Sequence, residues 1–475
     1  MRLSVRSNLP TELWKWDAVD LASEIRNGAV SSTEVVKSCL DRLDRVDRKV
    51  NSVVVPAPEA ALMATEAADA AVARGDTLGA LHGVPVTIKI NVDQVGEASS
   101  DGVVAFRNNI ATEDSPVVAN LKSAGAVIIG RTNTPTFSFR AFTHNELHGH
   151  TMNPWSEAHT PGGSSGGAAT SVAVGIAPIG HGNDISGSIR YPAYCTGVAR
   201  LRPSFGRVPA FQPSAKRERP LSGQLFSVQG PLARHIRDIS LALEVMAKGD
   251  PRDPWWVPAP LQGPPLPKRV AVSVDPTQTG VNPVVAEAVQ RAGRLLEEAG
   301  YTVEAVDPPD FFAIFEDWFK IVRAEAPYYC TPLIEQYGDN RLRKAHANDM
   351  KDAPAADTYQ YMEALARRTG WIRRWNILMQ DFPLLLHPVS SELPLEHSHD
   401  RDDAESLNWM RRIMVPCFTP VVLGLPAISV PTGTSAGLPT GVQIVGPRFR
   451  EDVLLEAAAI IEAGCPMETP IDPRF

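Results

Sequence analysis

A strand, a helix and a second strand follow one another between residues 84 and 129, and this order limits the folds open to the chain. Residues 84–90 are rich in valine and isoleucine, as β-strands are. Ser115-Pro116 then supplies an N-cap and a first-turn proline for a helix that ends at Gly125, and residues 126–129 form a second apolar run. Because this order is typical of parallel strand pairing, the sequence predicts an α/β fold with a mixed, mainly parallel sheet covered by helices.

The same alternation of strands and helices continues on both sides of this segment. A capping box, Ser31 to Glu34, opens a helix predicted to reach about Val46. Residues 250–267 contain seven prolines and are predicted to connect elements over the surface. Further elements are predicted as a strand at 270–274, a helix at 282–300, strands at 427–430 and 441–445, and a helix at 453–461.

We interpret residues 1–475 as a single α/β domain with four parts. These are an N-terminal helical region (1–70), a core that carries glycine-rich loops (80–250), a helical cap insert (311–380) and the C-terminal part of the core (381–475). The insert is rich in aromatic side chains, which either pack as core or line an apolar substrate pocket. For the second interpretation the lining candidates are Phe315, Trp318 and Phe319.

Composition and charge exclude several classes of function. A net charge of −8 argues against a nucleic-acid or anionic-membrane partner, since both require a basic surface. Five widely spaced cysteines fit neither a disulfide framework nor a zinc site, and no apolar run approaches the ~20 residues of a membrane span. The first 17 residues lack a secretory signal pattern. We therefore expect a cytoplasmic enzyme without a metal or cofactor, and a homodimer is compatible with this composition.

Two loops dense in glycine and serine, at 161–167 and 182–190, are the strongest chemical signal; they are called the glycine loops below. Neither has the sequence of a P-loop or of a dinucleotide-binding turn, although flexible surface loops remain an alternative. Glycines let backbone N–H groups approach a reacting carbonyl oxygen, as an oxyanion hole requires. A serine nucleophile also needs a base, and Lys89 lies in an apolar run where burial would favour its neutral form.

The order and spacing of several motifs resemble the amidase signature family, and the resemblance covers nearly the whole chain except residues 311–381. The matching motifs are Gly83-Val84-Pro85-Val86-Thr87-Ile88-Lys89, Thr132-Asn133-Thr134-Pro135, Asn153-Pro154-Trp155, Gly162-Gly163-Ser164-Ser165-Gly166-Gly167, 182–190, Tyr191-Pro192-Ala193, 197–203 and Gly424-Leu425-Pro426-Ala427-Ile428-Ser429-Val430-Pro431. The resemblance implies amide hydrolysis by a serine–cis-serine–lysine triad. By position, Ser188 would be the nucleophile, Ser164 the cis-serine that relays the proton, and Lys89 the base.

The resemblance also implies roles for the rest of the second glycine loop. The oxyanion hole would consist of the backbone N–H groups of Ile185, Ser186, Gly187 and Ser188. Asp184 and Arg190 match positions that hold the loop in shape.

The chain departs from the family pattern at four places, and none of them removes a member of the triad. Ser186-Gly187 replaces the usual pair of glycines, Asn183 replaces a threonine, Ile90 replaces the acidic residue that often follows the lysine, and Leu386-His387-Pro388 replaces a Thr-Pro-Thr stretch. These departures concern the shape of the acyl pocket and hence the substrate.

The substrate favoured by the sequence is a small or medium apolar amide, with an aryl group preferred because the insert is aromatic. Carbamates, hydrazides and anilides present a similar electrophilic carbonyl and stay open. An alternative of another class is the glutaminase component of a tRNA-dependent amidotransferase, which works within a complex. A binding protein without catalysis is the third alternative, and the complete triad argues against it.

Overall fold

The computed structural model describes residues 9–475. The first eight residues, which form part of the segment interpreted as lacking a secretory signal, lie outside the described residues. Within the described part of the chain, no helix is long and apolar enough to cross a membrane.

One sheet of eleven strands, in the order β1-β3-β2-β6-β8-β7-β12-β13-β11-β9-β10, organises the described residues, and β4 and β5 form a separate hairpin. Strands β3, β2 and β6 pair in parallel, as do β11, β9 and β10, whereas the pairs between these two groups are antiparallel. The predicted α/β fold with a mixed sheet is confirmed, and its parallel pairs lie in two separate groups. The strands are β1 Val53–Pro56, β2 Pro85–Lys89, β3 Val127–Thr132, β4 His144–Asn145, β5 Gly149–His150, β6 Ile179–Asp184, β7 Ala199–Arg202, β8 Val228–Ala233, β9 Arg269–Val272, β10 Thr302–Ala305, β11 Leu384–Pro388, β12 Ala427–Ser435 and β13 Leu438–Val445.

Helices surround this sheet. They are α1 Ala18–Arg26, α2 Ser32–Val50, α3 Pro58–Arg74, α4 Pro116–Ser123, α5 Gly166–Ala173, α6 Arg190–Thr196, α7 Leu221–Phe226, α8 Ile236–Met246, α9 Pro283–Glu298, α10 Phe311–Glu325, α11 Cys330–Tyr337, α12 Asn340–Asp352, α13 Thr358–Asp381, α14 Ala404–Ile413, α15 Val415–Leu423 and α16 Glu451–Gly464. The proline-rich connector at 250–267 forms neither helix nor strand, as predicted.

Local signals place the helix starts well. The predicted capping box is present, because Ser31 accepts a hydrogen bond from the Glu34 N–H at 3.1 Å and donates its own N–H to the Glu34 carboxylate at 2.8 Å. Helix α2 continues to Val50, beyond the predicted end near Val46, because the apolar residue Val50 is itself buried in the core. Asn282 likewise caps α9 by accepting the N–H of Val284.

Four helices, α10 to α13, form the segment predicted as a helical insert. Phe311 and Trp375 are buried with Val415 and Leu385 in one apolar cluster, so part of the aromatic content packs as core. Helix α10 lies against α15, and α15 approaches the second glycine loop, where a Cβ on Gly187 would lie 2.8 Å from Cys417 Cβ. The insert therefore packs both on α15 and directly on sheet residues such as Leu385.

Candidate active site

The carboxyl ends of β2, β3 and β6 meet at one edge of the sheet, because these three strands run parallel with β2 in the middle. Strand β2 ends at Lys89 and β6 ends at Asp184. In sheets of this kind the loops that follow the strand ends carry the functional residues. The topology thus brings Lys89 and the second glycine loop to the same edge.

Lys89 is buried and lies in contact with the first glycine loop. Its Nζ is 2.7 Å from Ser164 Oγ and 2.8 Å from Asn183 Oδ1. Burial lowers the pKa of Lys89 to about 7, while the carboxyl groups of Asp101 and Asp184 act in the opposite direction. A substantial fraction of Lys89 is therefore neutral near pH 7 and able to accept a proton.

Ser164 lies immediately before α5 and follows a cis peptide bond from Gly163. Its C=O accepts a hydrogen bond from Thr134 Oγ1 at 2.9 Å, which joins the loop to the segment after β3. A Cβ on Gly163 would lie 2.5 Å from the backbone oxygen of Arg140, so a side chain there would force the two segments apart. The glycine is needed for this close approach.

Ser188 lies between β6 and α6, where a backbone hydrogen bond joins the two glycine loops. The N–H of Ser165 donates to the C=O of Ser188 at 3.1 Å. Ser188 is 7% exposed, whereas Ser164 is 2% and Lys89 0% exposed. Of the three predicted triad residues, the proposed nucleophile is thus the one that solvent reaches most easily.

Asp184 holds the second glycine loop through a buried network. Its carboxylate accepts the N–H groups of Gly187 at 2.8 Å and Ile189 at 3.3 Å, and it pairs with Arg190 Nε at 3.0 Å. Arg202 donates to the Asp184 C=O at 2.6 Å. Burial raises the pKa of the Asp184 carboxyl, but the guanidinium groups of Arg190 and Arg202 outweigh this effect and hold that pKa well below its ordinary value. Asp184 is therefore a permanent carboxylate.

Four backbone N–H groups are predicted to form the oxyanion hole, and that of Gly187 differs from the others because it is already hydrogen-bonded. The N–H groups of Ile185, Ser186 and Ser188 donate to no other group in the part of the chain that the structure describes, whereas that of Gly187 donates to Asp184. Gly187 has a φ of +105°, in the region that favours glycine. Gly187 thus shapes the loop, and three N–H groups are left as donor candidates.

An aromatic cluster, defined as Phe315, Trp318, Phe319 and Phe418, lies beside the second glycine loop. The ring centroids of Phe315 and Trp318 are 4.9 Å and 4.5 Å from that of Phe418, and Phe319 is 5.9 Å from Phe315. Trp318 also packs in one apolar group with Ile185. The three predicted pocket residues are only partly buried, so the cluster both packs on α15 and borders the loop.

A separate cavity of about 420 Å³ lies between the loop at 102–108 and the junction of α11 and α12, with Thr136, Tyr337 and Arg343 in its lining. None of the predicted site residues lines this cavity. Among residues 9–475, no group of three or more histidine, cysteine or acidic side chains is arranged to hold a metal ion.

Comparison with known proteins places this geometry in a family. A family profile described as Amidase matches residues 34–455. The chain belongs to the amidase signature family.

Three similar proteins illustrate the range of this amidase family. The chain is 46% identical over 455 residues to an indoleacetamide hydrolase of Bradyrhizobium diazoefficiens, and the match covers 95% of this chain and 86% of that protein. It is 31% identical to one component of the glutamyl-tRNA(Gln) amidotransferase of a Picosynechococcus species, over 91% of this chain and 94% of that protein. The solved structure of a bacterial aryl acylamidase superposes with a TM-score of 0.83 at 26% identity and covers 96% of this chain and 97% of that one.

The protein is accordingly an enzyme that hydrolyses an amide C–N bond. The sequence prediction missed several polar residues that the structure places around Lys89 in this amidase. Asn183 was noted as a departure from the family pattern, but its contact with Lys89 was not foreseen. Asn91, Ser138 and Asp101 continue the same hydrogen-bonded group. The sequence gives one indication that Lys89 needs such partners. Ile90 stands where the family often has an acidic residue, so Lys89 has no charged neighbour in the sequence.

Proposed function

We propose that this amidase hydrolyses a small or medium apolar amide with an aryl acyl group, through an acyl-enzyme on Ser188. The observation that carries the proposal is the 2.7 Å contact between Lys89 Nζ and Ser164 Oγ, made inside the protein. Among the described residues no histidine is hydrogen-bonded to Ser164 or Ser188, so Lys89 is the candidate base. The backbone hydrogen bond from the Ser165 N–H to the Ser188 C=O joins the loop of the proposed nucleophile to the loop of Ser164 and supports this assignment.

In the proposed first half-reaction, neutral Lys89 accepts the proton of Ser164 while Ser164 accepts that of Ser188. The Ser188 oxygen then attacks the amide carbon and forms a tetrahedral intermediate. Return of the proton through Ser164 to the leaving nitrogen breaks the C–N bond and releases the amine or ammonia. Water attacks the acyl-enzyme in the second half-reaction, with the same residues moving its proton.

Three backbone donors would stabilise the negative charge of the intermediate. We assign this role to the N–H groups of Ile185, Ser186 and Ser188, since that of Gly187 is engaged by Asp184. Asp184 and Arg190 would keep the loop in place through their buried ion pair at 3.0 Å. Donors fixed in this way need no reorganisation as charge develops, which is the usual source of oxyanion stabilisation.

The acyl group is inferred from the aromatic cluster. Trp318 of this cluster and Ile185, one of the proposed oxyanion donors, pack against the same apolar group, so an acyl chain at this end of the site would meet aromatic rings. An indoleacetamide hydrolase at 46% identity supports an arylacetic acyl group, and an aryl acylamidase of the same fold supports an aryl-containing amide more generally. The 31% identity to an amidotransferase component gives the glutaminase alternative less support.

A labelling experiment and a substrate panel test the proposal together. A fluorophosphonate should modify Ser188, prior labelling should abolish turnover, and Ser188→Ala should block both. Ser165→Ala is the matched control, because it removes a neighbouring hydroxyl in the joined loop and should leave labelling at Ser188. An adduct mapped by mass spectrometry to Ser165, Ser186 or a cysteine would overturn the triad.

The panel compares indole-3-acetamide and phenylacetamide with acetamide, an anilide, a carbamate, a hydrazide and glutamine. We expect the arylacetamides to have the highest kcat/KM. The proposed substrate class would be contradicted by a preference for glutamine or by activity that appears only when partner proteins are added. Neither result would affect the assignment of Ser188, which the labelling experiment tests separately.

A further inference from the structure

A chain of side chains leads from Lys89 to a second acidic group, Asp101. Lys89 Nζ lies 2.8 Å from Asn183 Oδ1, and Asn183 Nδ2 donates to Asn91 Oδ1 at 2.9 Å. Asn91 Nδ2 donates to Ser138 Oγ at 3.0 Å, and Ser138 Oγ donates to Asp101 Oδ1 at 2.7 Å. Four consecutive hydrogen bonds therefore join the proposed base to a carboxylate from a separate loop.

The backbone around Asp101 is held in an unusual conformation at this contact. Asp101, Phe137 and Ser138 have φ angles of 48°, 56° and 58°, in the left-handed region that residues other than glycine seldom adopt. The N–H of Phe137 donates to the Asp101 C=O at 2.9 Å, so main chain and side chain both fasten the two loops together. Backbone strain of this kind persists where surrounding contacts enforce it and is concentrated at functional sites.

Three titratable groups face Lys89 from the elements packed around it: Asp101, Asp184 and His181. The charge of Asp184 is already matched by Arg190 and Arg202. His181 is buried, which lowers the pKa of its imidazole to about 4, and it bonds to Gln229, so it is neutral at working pH. The remaining group is Asp101, which forms no direct ion pair among the described residues and is linked to Lys89 by the chain of hydrogen bonds and by Coulomb attraction.

Asp101 and Lys89 depend on each other for their charge. Burial raises the pKa of Asp101 to about 7, whereas the hydrogen bond from Ser138 and the charge of Lys89 oppose that increase. The next residue after Lys89 in the sequence is Ile90, which carries no charge. A carboxylate supplied by another loop can take the place of such a neighbour, because Coulomb attraction in the protein interior is only weakly screened.

We propose that Asp101 is a positioning residue that supplies the counter-charge of Lys89, with Ser138, Asn91 and Asn183 fixing the geometry between them. The inference rests on the proposed role of Lys89 as the base. When Lys89 takes up the proton that Ser188 releases, the Asp101 carboxylate stabilises the ammonium, and the two amide side chains hold its Nζ toward Ser164. No bond to substrate is formed by Asp101 itself.

Asp101→Asn tests the proposal, because it keeps the shape of the side chain and removes the charge. Without the carboxylate the Lys89 ammonium is less stable, so the acidic limb of kcat/KM should move to lower pH by about one unit. The plateau rate should fall by about tenfold, since the ammonium formed during attack loses its counter-charge. Ser138→Ala, which leaves the carboxylate but breaks the chain, should lower the plateau with a smaller displacement of the acidic limb.

Asp93→Asn is the matched control. Asp93 is buried and accepts hydrogen bonds from Gln212 and Ser214, and its charge acts on Arg131 and not on Lys89. Its pH profile should coincide with that of the wild type once both proteins are shown to be folded. If Asp101→Asn and Ser138→Ala are folded and their profiles also match the wild type, the proposal is overturned.

For the wild type and each variant, the rate of fluorophosphonate labelling at Ser188 is also measured as a function of pH, because labelling needs no substrate. If Asp101→Asn does not fold, Ser138→Ala alone tests the proposal. A folded Ser138→Ala variant with the wild-type plateau of kcat/KM would then overturn it. Failure of the wild type to label at Ser188 would contradict the proposed function instead. The two failures are therefore distinguished by the same set of samples.

Discussion

The glycine loops and the aromatic cluster lie side by side, yet different forces hold them. In the loops, Asp184 and Arg190 are buried and form an ion pair, and the buried Lys89 at the end of β2 is hydrogen-bonded to Asn183 of the second loop. In the cluster, Trp318 and Phe319 are partly exposed and contact their neighbours mainly through ring faces and edges. Directional bonds fix atoms to within tenths of an ångström, whereas apolar packing tolerates a change of shape.

Because of this difference, the glycine loops and the aromatic cluster are suited to different functions. Proton transfer and oxyanion stabilisation depend on exact distances, so they require the bonded and buried region. Recognition of an apolar acyl group depends on shape and apolar area, which a partly exposed cluster can supply. Substitutions should therefore be far more damaging in the loops than in the cluster.

The largest effect is expected from removing the base. Lys89→Ala should lower kcat by a factor of about 10²–10⁴, the usual contribution of a positioned general base, without unfolding the protein. For the wild type, kcat/KM should rise with pH through about 7 and then stay high, because the pKa of Lys89 is lowered to about 7 and only the neutral amine accepts a proton. Steady-state kinetics across pH 5–10 and circular dichroism measure both.

Lys122→Ala serves as the control for this substitution, because Lys122 pairs with Asp114 away from the glycine loops. It should leave kcat and its pH profile unchanged. Near-normal turnover of a folded Lys89→Ala variant would show that the base is another residue.

A smaller but still large effect is expected on stability when the loop loses its carboxylate. Asp184→Asn leaves Arg190 and Arg202 buried without their counter-charge, and breaking a buried pair in this way typically costs ~3–5 kcal/mol. Denaturant unfolding measures this free energy. The exposed pair Arg74–Asp76 provides the comparison, because Asp76→Asn should cost less than about 1 kcal/mol. If Asp184→Asn and Asp76→Asn lowered the free energy of unfolding by the same amount, the distinction between buried and exposed ion pairs would be contradicted.

Local patterns in the sequence predict the elements that carry the site, and family resemblance predicts the contact that defines it. The cap at Ser31 and the strand that ends at Lys89 follow from short-range signals. Lys89 and Ser164 are 75 residues apart, so their contact was accessible only through the matching motifs. The family pattern does not indicate that Asn183 contacts Lys89, because the family usually has a threonine at this position.

Other contacts depend on the order of strands in the sheet, which no local pattern specifies. Arg202 reaches Asp184 because β6 and β7 both pair with β8, which lies between them in the sheet. Asp101 meets Ser138 because two loops adopt left-handed conformations at residues that seldom do so. The sequence pattern left two interpretations of the aromatic residues open, core packing and an apolar pocket, because both require apolar side chains at helical spacing.

The smallest effect on turnover should come from the insert, and two of its aromatic residues can decide between those interpretations. If Trp318 borders the acyl pocket, Trp318→Ala should change the ratio of kcat/KM for phenylacetamide and acetamide by about tenfold, as the loss of apolar contact in a pocket does. If it only packs as core, the substitution should cost ~3–5 kcal/mol of stability and leave the ratio unaltered.

Tyr359 of α13 is 75% exposed, so Tyr359→Ala should change stability by no more than about 0.5 kcal/mol and should not affect the ratio. Measuring both quantities on both variants separates pocket from core, because only a pocket residue alters preference. A change of preference with Tyr359→Ala would show instead that the outer face of the insert takes part in recognition.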